Sequence, residues 1–150
     1  LSFSLMKTQE KINGKWVPRP TEQRYSIALF FQDYVPHFPK YKFNLRAIWS
    51  DGLPIGAPKL GRQAGYFRTT PYRRVDIGAS RLLVGGEDRI MRRGFFRHFK
   101  SIWIGLDIFN LLNISNVNSY YWVTDVYSNQ YAVPNYLTMR QFNLRLSAEF

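Results

Sequence analysis

The last ten residues of this 150-residue chain alternate without a break. Phe142, Leu144, Leu146, Ala148 and Phe150 fall on one side; Gln141, Asn143, Arg145, Ser147 and Glu149 fall on the other. Successive side chains of an extended strand point to opposite faces, whereas an amphipathic helix needs apolar spacings of three and four. The segment is therefore a strand with one apolar and one polar face. Five earlier segments carry the same signature. Leu1, Phe3 and Leu5 oppose Ser2, Ser4 and Met6; within 23–34, Tyr25, Ile27, Leu29 and Phe31 oppose Arg24, Ser26, Ala28 and Gln32, with Phe30 as the exception. Within 41–50, Tyr41, Phe43, Leu45, Ala47 and Trp49 oppose Lys42, Asn44, Arg46 and Ser50. Within 73–83, Val75, Ile77 and Ala79 oppose Arg74, Asp76, Gly78 and Ser80. Ile102, Ile104, Leu106 and Ile108 oppose Gly105 and Asp107, with Trp103 and Phe109 near the two ends.

Strands of about 9 to 12 residues exceed the ~5 to 6 typical of soluble sheets and match what a tilted strand needs to cross a bilayer. The connections alternate too: 10–22, 51–72 and 114–138 are long, 35–40 is short and 84–100 intermediate. That rhythm is expected when one rim carries outer loops and the other periplasmic turns. The prolines fall in the connections, so no proposed strand is interrupted. In the last long connection, Tyr120 to Val126 and Gln130 to Val133 flank Ser128-Asn129 and predict a small hairpin. The chain is 45% hydrophobic and 17% aromatic, yet no run approaches the ~20 apolar residues of a membrane helix. Alternating lipid-facing and lumen-facing residues give this near-neutral, aromatic-rich character. Six strands fall short of the roughly eight that close a membrane barrel, and open edges cannot face lipid. The opening Leu1-Ser-Phe-Ser4, without initiator Met or secretory features, is read as the start of a fragment.

The stretch Tyr131-Ala-Val-Pro-Asn-Tyr-Leu-Thr-Met-Arg-Gln-Phe-Asn-Leu-Arg-Leu-Ser-Ala-Glu-Phe150 resembles the C-terminus of TonB-dependent receptors of Bacteroidetes-type bacteria. Ser101-Ile-Trp-Ile-Gly-Leu-Asp-Ile-Phe-Asn-Leu-Leu-Asn113 resembles the penultimate strand of that family, and Tyr72-Arg-Arg-Val-Asp-Ile-Gly-Ala-Ser80 and Gln32-Asp-Tyr-Val-Pro36 are similar to other pieces of it. The resemblance implies an all-β fold: residues 1–150 supply about six antiparallel C-terminal transmembrane strands of a 22-stranded plugged barrel, with the C-terminus in the periplasm. It implies uptake of a scarce nutrient (siderophore, glycan or peptide) across the outer membrane. The implied partners are the remaining strands and plug, lipid and lipopolysaccharide, the barrel assembly machinery, TonB acting through a segment outside this sequence, and a substrate-binding surface lipoprotein. No cofactor, metal or nucleic acid is expected.

Phe142, Leu144, Leu146 and Phe150 resemble the signal read by the assembly machinery, against the plainer reading of an edge strand that ends in Phe. Arg46, Asp76, Asp107, Arg140 and Arg145, with Arg24, Lys42, Arg74 and Glu149, are read as lining the lumen and meeting a plug; for any one of them a solvated polar face is the bland alternative. Tyr120, Tyr121 and Trp122, with Tyr127, Tyr131 and Tyr136, are candidates to stack on a ligand, although loop packing or an interfacial girdle explains such residues more often. Residues 87–100 interleave basic and aromatic side chains; headgroup contact at a strand end is preferred to nucleic-acid binding, because Gly94 interrupts any helix.

The remaining signals point nowhere. Gly85-Gly-Glu-Asp88 has the wrong order of acids for a cyclase loop, Asn113-Ile-Ser115 is a glycosylation pattern without meaning in a bacterium, and His37 and His98 stand without a second metal ligand. No nucleophile elbow, phosphate loop or carboxylate pair supports an enzyme. Two rivals stand beside the transporter: a barrel belonging to a secretion or structural assembly, and a soluble basic β-sandwich that binds polysaccharide or nucleic acid. The net charge of +11 suits the latter.

Overall fold

A computed structural model describes residues 1–85, 94 and 98–150. Twelve strands make up its regular structure, with no α-helix among the described residues: β1 Ser2–Leu5, β2 Gln9–Ile12, β3 Lys15–Pro18, β4 Tyr25–Val35, β5 Phe38–Ser50, β6 Pro54–Ile55, β7 Phe67–Arg68, β8 Tyr72–Val84, β9 Ser101–Phe109, β10 Val117–Thr124, β11 Gln130–Tyr136 and β12 Gln141–Glu149. One six-stranded sheet has the order β1-β4-β5-β8-β9-β12. Each of these strands is the next one in the chain once three two-stranded hairpins, β2-β3, β6-β7 and β10-β11, are set aside. The six alternating segments of the sequence are these six strands. The sheet is an up-and-down antiparallel meander and does not close on itself.

The register keeps the two faces apart. Phe142, Leu144, Leu146 and Ala148 of β12 lie opposite Ile108, Leu106, Ile104 and Ile102 of β9, while Asn143 and Arg145 lie opposite Asp107 and Gly105. On the other side of β9, Ile77 and Ala79 face Ile108 and Leu106, and Gly78 and Ser80 face Asp107 and Gly105. In β1, Phe3 and Leu5 meet Ile27 and Tyr25, and Ser2 and Ser4 meet Ala28 and Ser26. A slip of one residue in any pair would mix the apolar and polar sets, so the pattern fixes the pairing.

Turn chemistry explains the connections. In Ile12-Asn13-Gly14-Lys15, Asn13 and Gly14 have φ of 48° and 80°, the doubly positive pattern of a tight primed hairpin turn. This β2-β3 hairpin was readable from Asn-Gly but is absent from the expectation above. The connection expected over 35–40 shrinks to Pro36 and His37, since β4 and β5 run on to Val35 and back from Phe38. Proline fixes a negative φ and His37 supplies the positive one, 65°. Pro39 therefore lies inside β5, one residue from its start, and Pro134 inside β11, while Pro18 ends β3 and Pro54 opens β6, a correction to the expected proline-free strands. Pro39 and Pro134 are tolerable, the first at a strand beginning and the second in a two-stranded ribbon with no inner strand. The expected hairpin of the last long connection is β10-β11, and its Asp125 carboxylate accepts hydrogen bonds from the Tyr127 and Asn129 amides at 2.9 and 2.8 Å.

Burial is scant. Among the described residues the buried hydrophobic side chains are Val17, Val84 and Ile102, and none is fully enclosed. The chain divides into two compact units. One comprises Leu1–Ala28, Ile48–Arg73 and Ile114–Met139 and holds the three hairpins; the other comprises Leu29–Ala47, Arg74–Asn113 and Arg140–Phe150 and holds the β9-β12 ladder. Among the described residues no helix is long and apolar enough to cross a membrane.

Candidate functional site

In the hairpin-bearing unit, two buried carboxylates organise the connections. Asp51, just after β5, takes both arms of Arg24: Nε donates to Oδ2 at 2.5 Å and Nη2 to Oδ1 at 3.1 Å. Arg68 of β7 adds hydrogen bonds to Asp51 Oδ2 at 3.3 Å and to the carbonyls of Gly52 and Glu22, and pairs through Nη2 with Glu22 Oε1. The other Glu22 oxygen accepts from the Thr8 amide at 3.0 Å. Hydrogen bonding from Arg24 holds the Asp51 carboxyl below the usual carboxylate range against the opposing effect of burial, and the same pair raises Arg24. A closed ion network thus ties the first and second long connections together, satisfying charges that could not stay buried alone.

Beside this network lies a pocket of about 600 Å³, whose walls include Gln23, Asp51, Leu53, Tyr72, Tyr120 and Trp122. Phe67 meets Tyr120 edge-on at 5.6 Å and Trp122 at 6.2 Å, so β7 props β10 from behind the wall. The three aromatic candidates therefore separate. Tyr120 and Trp122 share one face of β10 and line the pocket, while Tyr121 is on the opposite face and 63% exposed.

In the other unit the polar sheet face holds the candidates from β5, β8, β9 and β12. Asp107 is buried, with Arg145 Nη2 at 3.8 Å and the Asn143 amide donating at 3.4 Å. Arg145 also donates to Ser80 Oγ at 3.3 Å. Asp76 accepts from Arg74 Nε at 2.7 Å and from the Asn110 amide at 2.8 Å. A methyl group on Gly78 would collide with Asp107 and Asn44, so the absent side chain is what lets those polar groups lie across the sheet. Lys42 stands over the rings of Trp103 and Tyr34, at 4.1 and 4.8 Å, in a notch of about 320 Å³ that Arg145, Ser80 and Gln32 also line. Arg46 shares the parity of Lys42 and Asn44 on β5 and is exposed. Arg140 precedes β12, with its backbone amide bonded to Asn113 Oδ1 at 2.9 Å, and is out of step with Asn143 and Arg145.

Comparison with known protein families, curated proteins and solved structures finds no match.

Phe142, Leu144, Leu146 and Phe150 are each about 70% exposed, and Phe150 packs against Phe99 with ring centres 4.6 Å apart. Among the described residues no group of three His, Cys, Asp or Glu side chains could hold a metal ion. The basic and aromatic run 87–100 lies largely outside the described residues, as does most of Gly85–Asp88. Two features escaped the sequence reading. The Glu22-Asp51-Arg68 network joins residues up to 46 positions apart across loops, and the Lys42 sandwich draws Trp103 from a strand where it had been assigned only to an end.

Proposed function

We propose that this chain forms the C-terminal strands of an outer-membrane β-barrel, and that the barrel is a TonB-dependent receptor importing a scarce nutrient. The observation that carries the membrane reading is the apolar sheet face. Leu1, Phe3, Leu5, Trp49, Leu106, Phe142, Leu144 and Leu146 are exposed on it, while Ile27, Ile77 and Ile108 are half-buried by their neighbours and Ile102 is buried. A soluble sandwich would bury that face against a second sheet, and among the described residues there is no second layer of comparable size. Lipid is the solvent that suits such a face.

Rim chemistry supports the same reading. On β8 the apolar-face positions Arg73 and Arg81 stand eight residues apart, and so do their stacking partners Trp49 and Tyr41 on β5. The outer edges of β1 and β12 take no strand partner among the described residues. Unpaired backbone in hydrocarbon costs several kcal/mol per group, so further strands are needed to close the wall. Transport itself follows from the family resemblance of the last two strands and from the aromatic pocket among the connections that would face outward.

Two measurements test the parts separately. The intact protein carrying these residues is expected in the outer-membrane fraction, migrating differently in SDS before and after boiling; recovery as a soluble species would end the barrel reading. Deletion of its gene, and separately loss of TonB, is expected to abolish uptake of the same nutrient. Uptake that survives loss of TonB would leave a barrel of another function.

A further inference from the structure

We propose that Arg73 docks the phosphate of an anionic lipid in the leaflet beside the hairpin-bearing end of the strands; the inference rests on the membrane reading above. Arg73 occupies the face of β8 that carries Val75, Ile77 and Ala79, where a charge has no water-filled lumen to serve. Its guanidinium lies over the ring of Trp49 at 5.7 Å, and Trp49 in turn meets Tyr25 edge-on at 6.1 Å. Trp and Tyr collect at the headgroup level of membranes, and arginine lays its stem on apolar surface while its head reaches the interface.

The backbone that carries it is held in place. Buried Asn116 clamps the Arg73 backbone from both sides, its Oδ1 accepting from the Arg73 amide at 2.9 Å and its Nδ2 donating to the Arg73 carbonyl at 2.7 Å. Among the described residues no carboxylate pairs with the Arg73 guanidinium. The hairpin-bearing unit contains four acids. Glu10 pairs with Arg62, Glu22 with Arg68, Asp51 with Arg24 and Arg68, and Asp125 is spent on its own turn. None is paired with Arg73. A planar fork of donors that stacks on Trp49 at an aromatic rim and has no ion pair among the described residues is complementary to a phosphate, which accepts it with two parallel hydrogen bonds.

The test uses the full-length receptor purified in a non-ionic detergent and native mass spectrometry, with added phosphatidylglycerol, diacylglycerol or oleate as the probe. Wild type is expected to retain phosphatidylglycerol over both the uncharged diacylglycerol and the carboxylate oleate. Arg73→Gln is expected to retain one fewer phosphatidylglycerol, through affinity weakened about tenfold, as loss of a charge-assisted pair implies. Arg73→Lys, which keeps the charge and loses the fork, is expected to fall between them, and Arg81→Gln at the other rim to leave this binding event in place. Equal retention by wild type and Arg73→Gln, both heat-modifiable and therefore folded, overturns the lipid site and leaves the barrel standing. Equal retention of phosphatidylglycerol and oleate overturns the phosphate assignment. A protein that never partitions into detergent overturns the membrane reading and this inference with it.

Discussion

Replacing Arg68 by Met removes the cation that Glu22 shares with Asp51 while keeping most of the side-chain volume. Asp51 retains Arg24 in a two-bond pair, but Glu22, only 2% exposed, is left with the Thr8 amide as its one remaining hydrogen-bond donor among the described residues. Breaking one side of a buried ion pair costs about 3 to 5 kcal/mol. Arg68 is itself 20% exposed, which puts the expected loss near the lower end. A local loss of about 3 kcal/mol multiplies opening of the connection by roughly a hundredfold or more. Hydrogen exchange at the Thr8 and Thr69 amides, bonded to Glu22 Oε2 and to the Leu53 carbonyl, reads that opening directly. The β9-β12 ladder should exchange as before. Adding Glu22→Gln should recover most of the protection, because the stranded charge is then gone. Unchanged exchange in Arg68→Met, or no recovery in the double variant, would refute the idea that charge compensation holds these connections.

Acid should act on the same network. Because the Asp51 carboxyl is depressed in the fold, its contribution is fully present above the ordinary value of about 3.9 and is lost as pH falls through the lower folded value; the protection factors of the loop amides, which correct for the intrinsic pH dependence of exchange, should stay level from neutral pH to about 4 and fall below it. Gly78→Val forces a branched side chain against Asp107 and Asn44 and should cost about 1 to 3 kcal/mol or more, measured as a lower denaturant midpoint of the folded protein. Trp122→Ala should loosen β10-β11 by about 1 to 2 kcal/mol through loss of the Phe67 contact, while Tyr121→Ala, on the exposed face, should stay within about 0.5 kcal/mol; protease sensitivity of the hairpin separates the two. On the outer-membrane reading proposed above, deleting Phe150 should reduce the folded, heat-modifiable fraction in the outer membrane without changing synthesis, as counted by pulse labelling.

The six long strands were legible because a two-residue period needs no knowledge of neighbours: Leu144 and Leu146 announce their face whatever they pair with. The hairpins were legible only where a turn had its own chemistry. Ser128-Asn129 gave one, and Asn13-Gly14 would have given another. β6 and β7, two residues each, depend on the Arg68 ion pairs and had no local signal. The same division runs through the sites. Parity alone put Asp107 and Arg145 on a common face, whereas the choice of Tyr120 and Trp122 over Tyr121 required knowing which side of β10 the pocket lay on.

The free edge of β12 has a consequence in time. Nine residues of backbone stand ready to pair, with Phe142, Leu144 and Leu146 bare along one side and charge at only Arg145 and Glu149. Such an edge, once released into water, is a template for any other extended segment, including a second copy of itself. Until a neighbour covers that edge, correct pairing and fibril growth compete for the same backbone groups, so the time β12 spends uncovered sets the risk of aggregation.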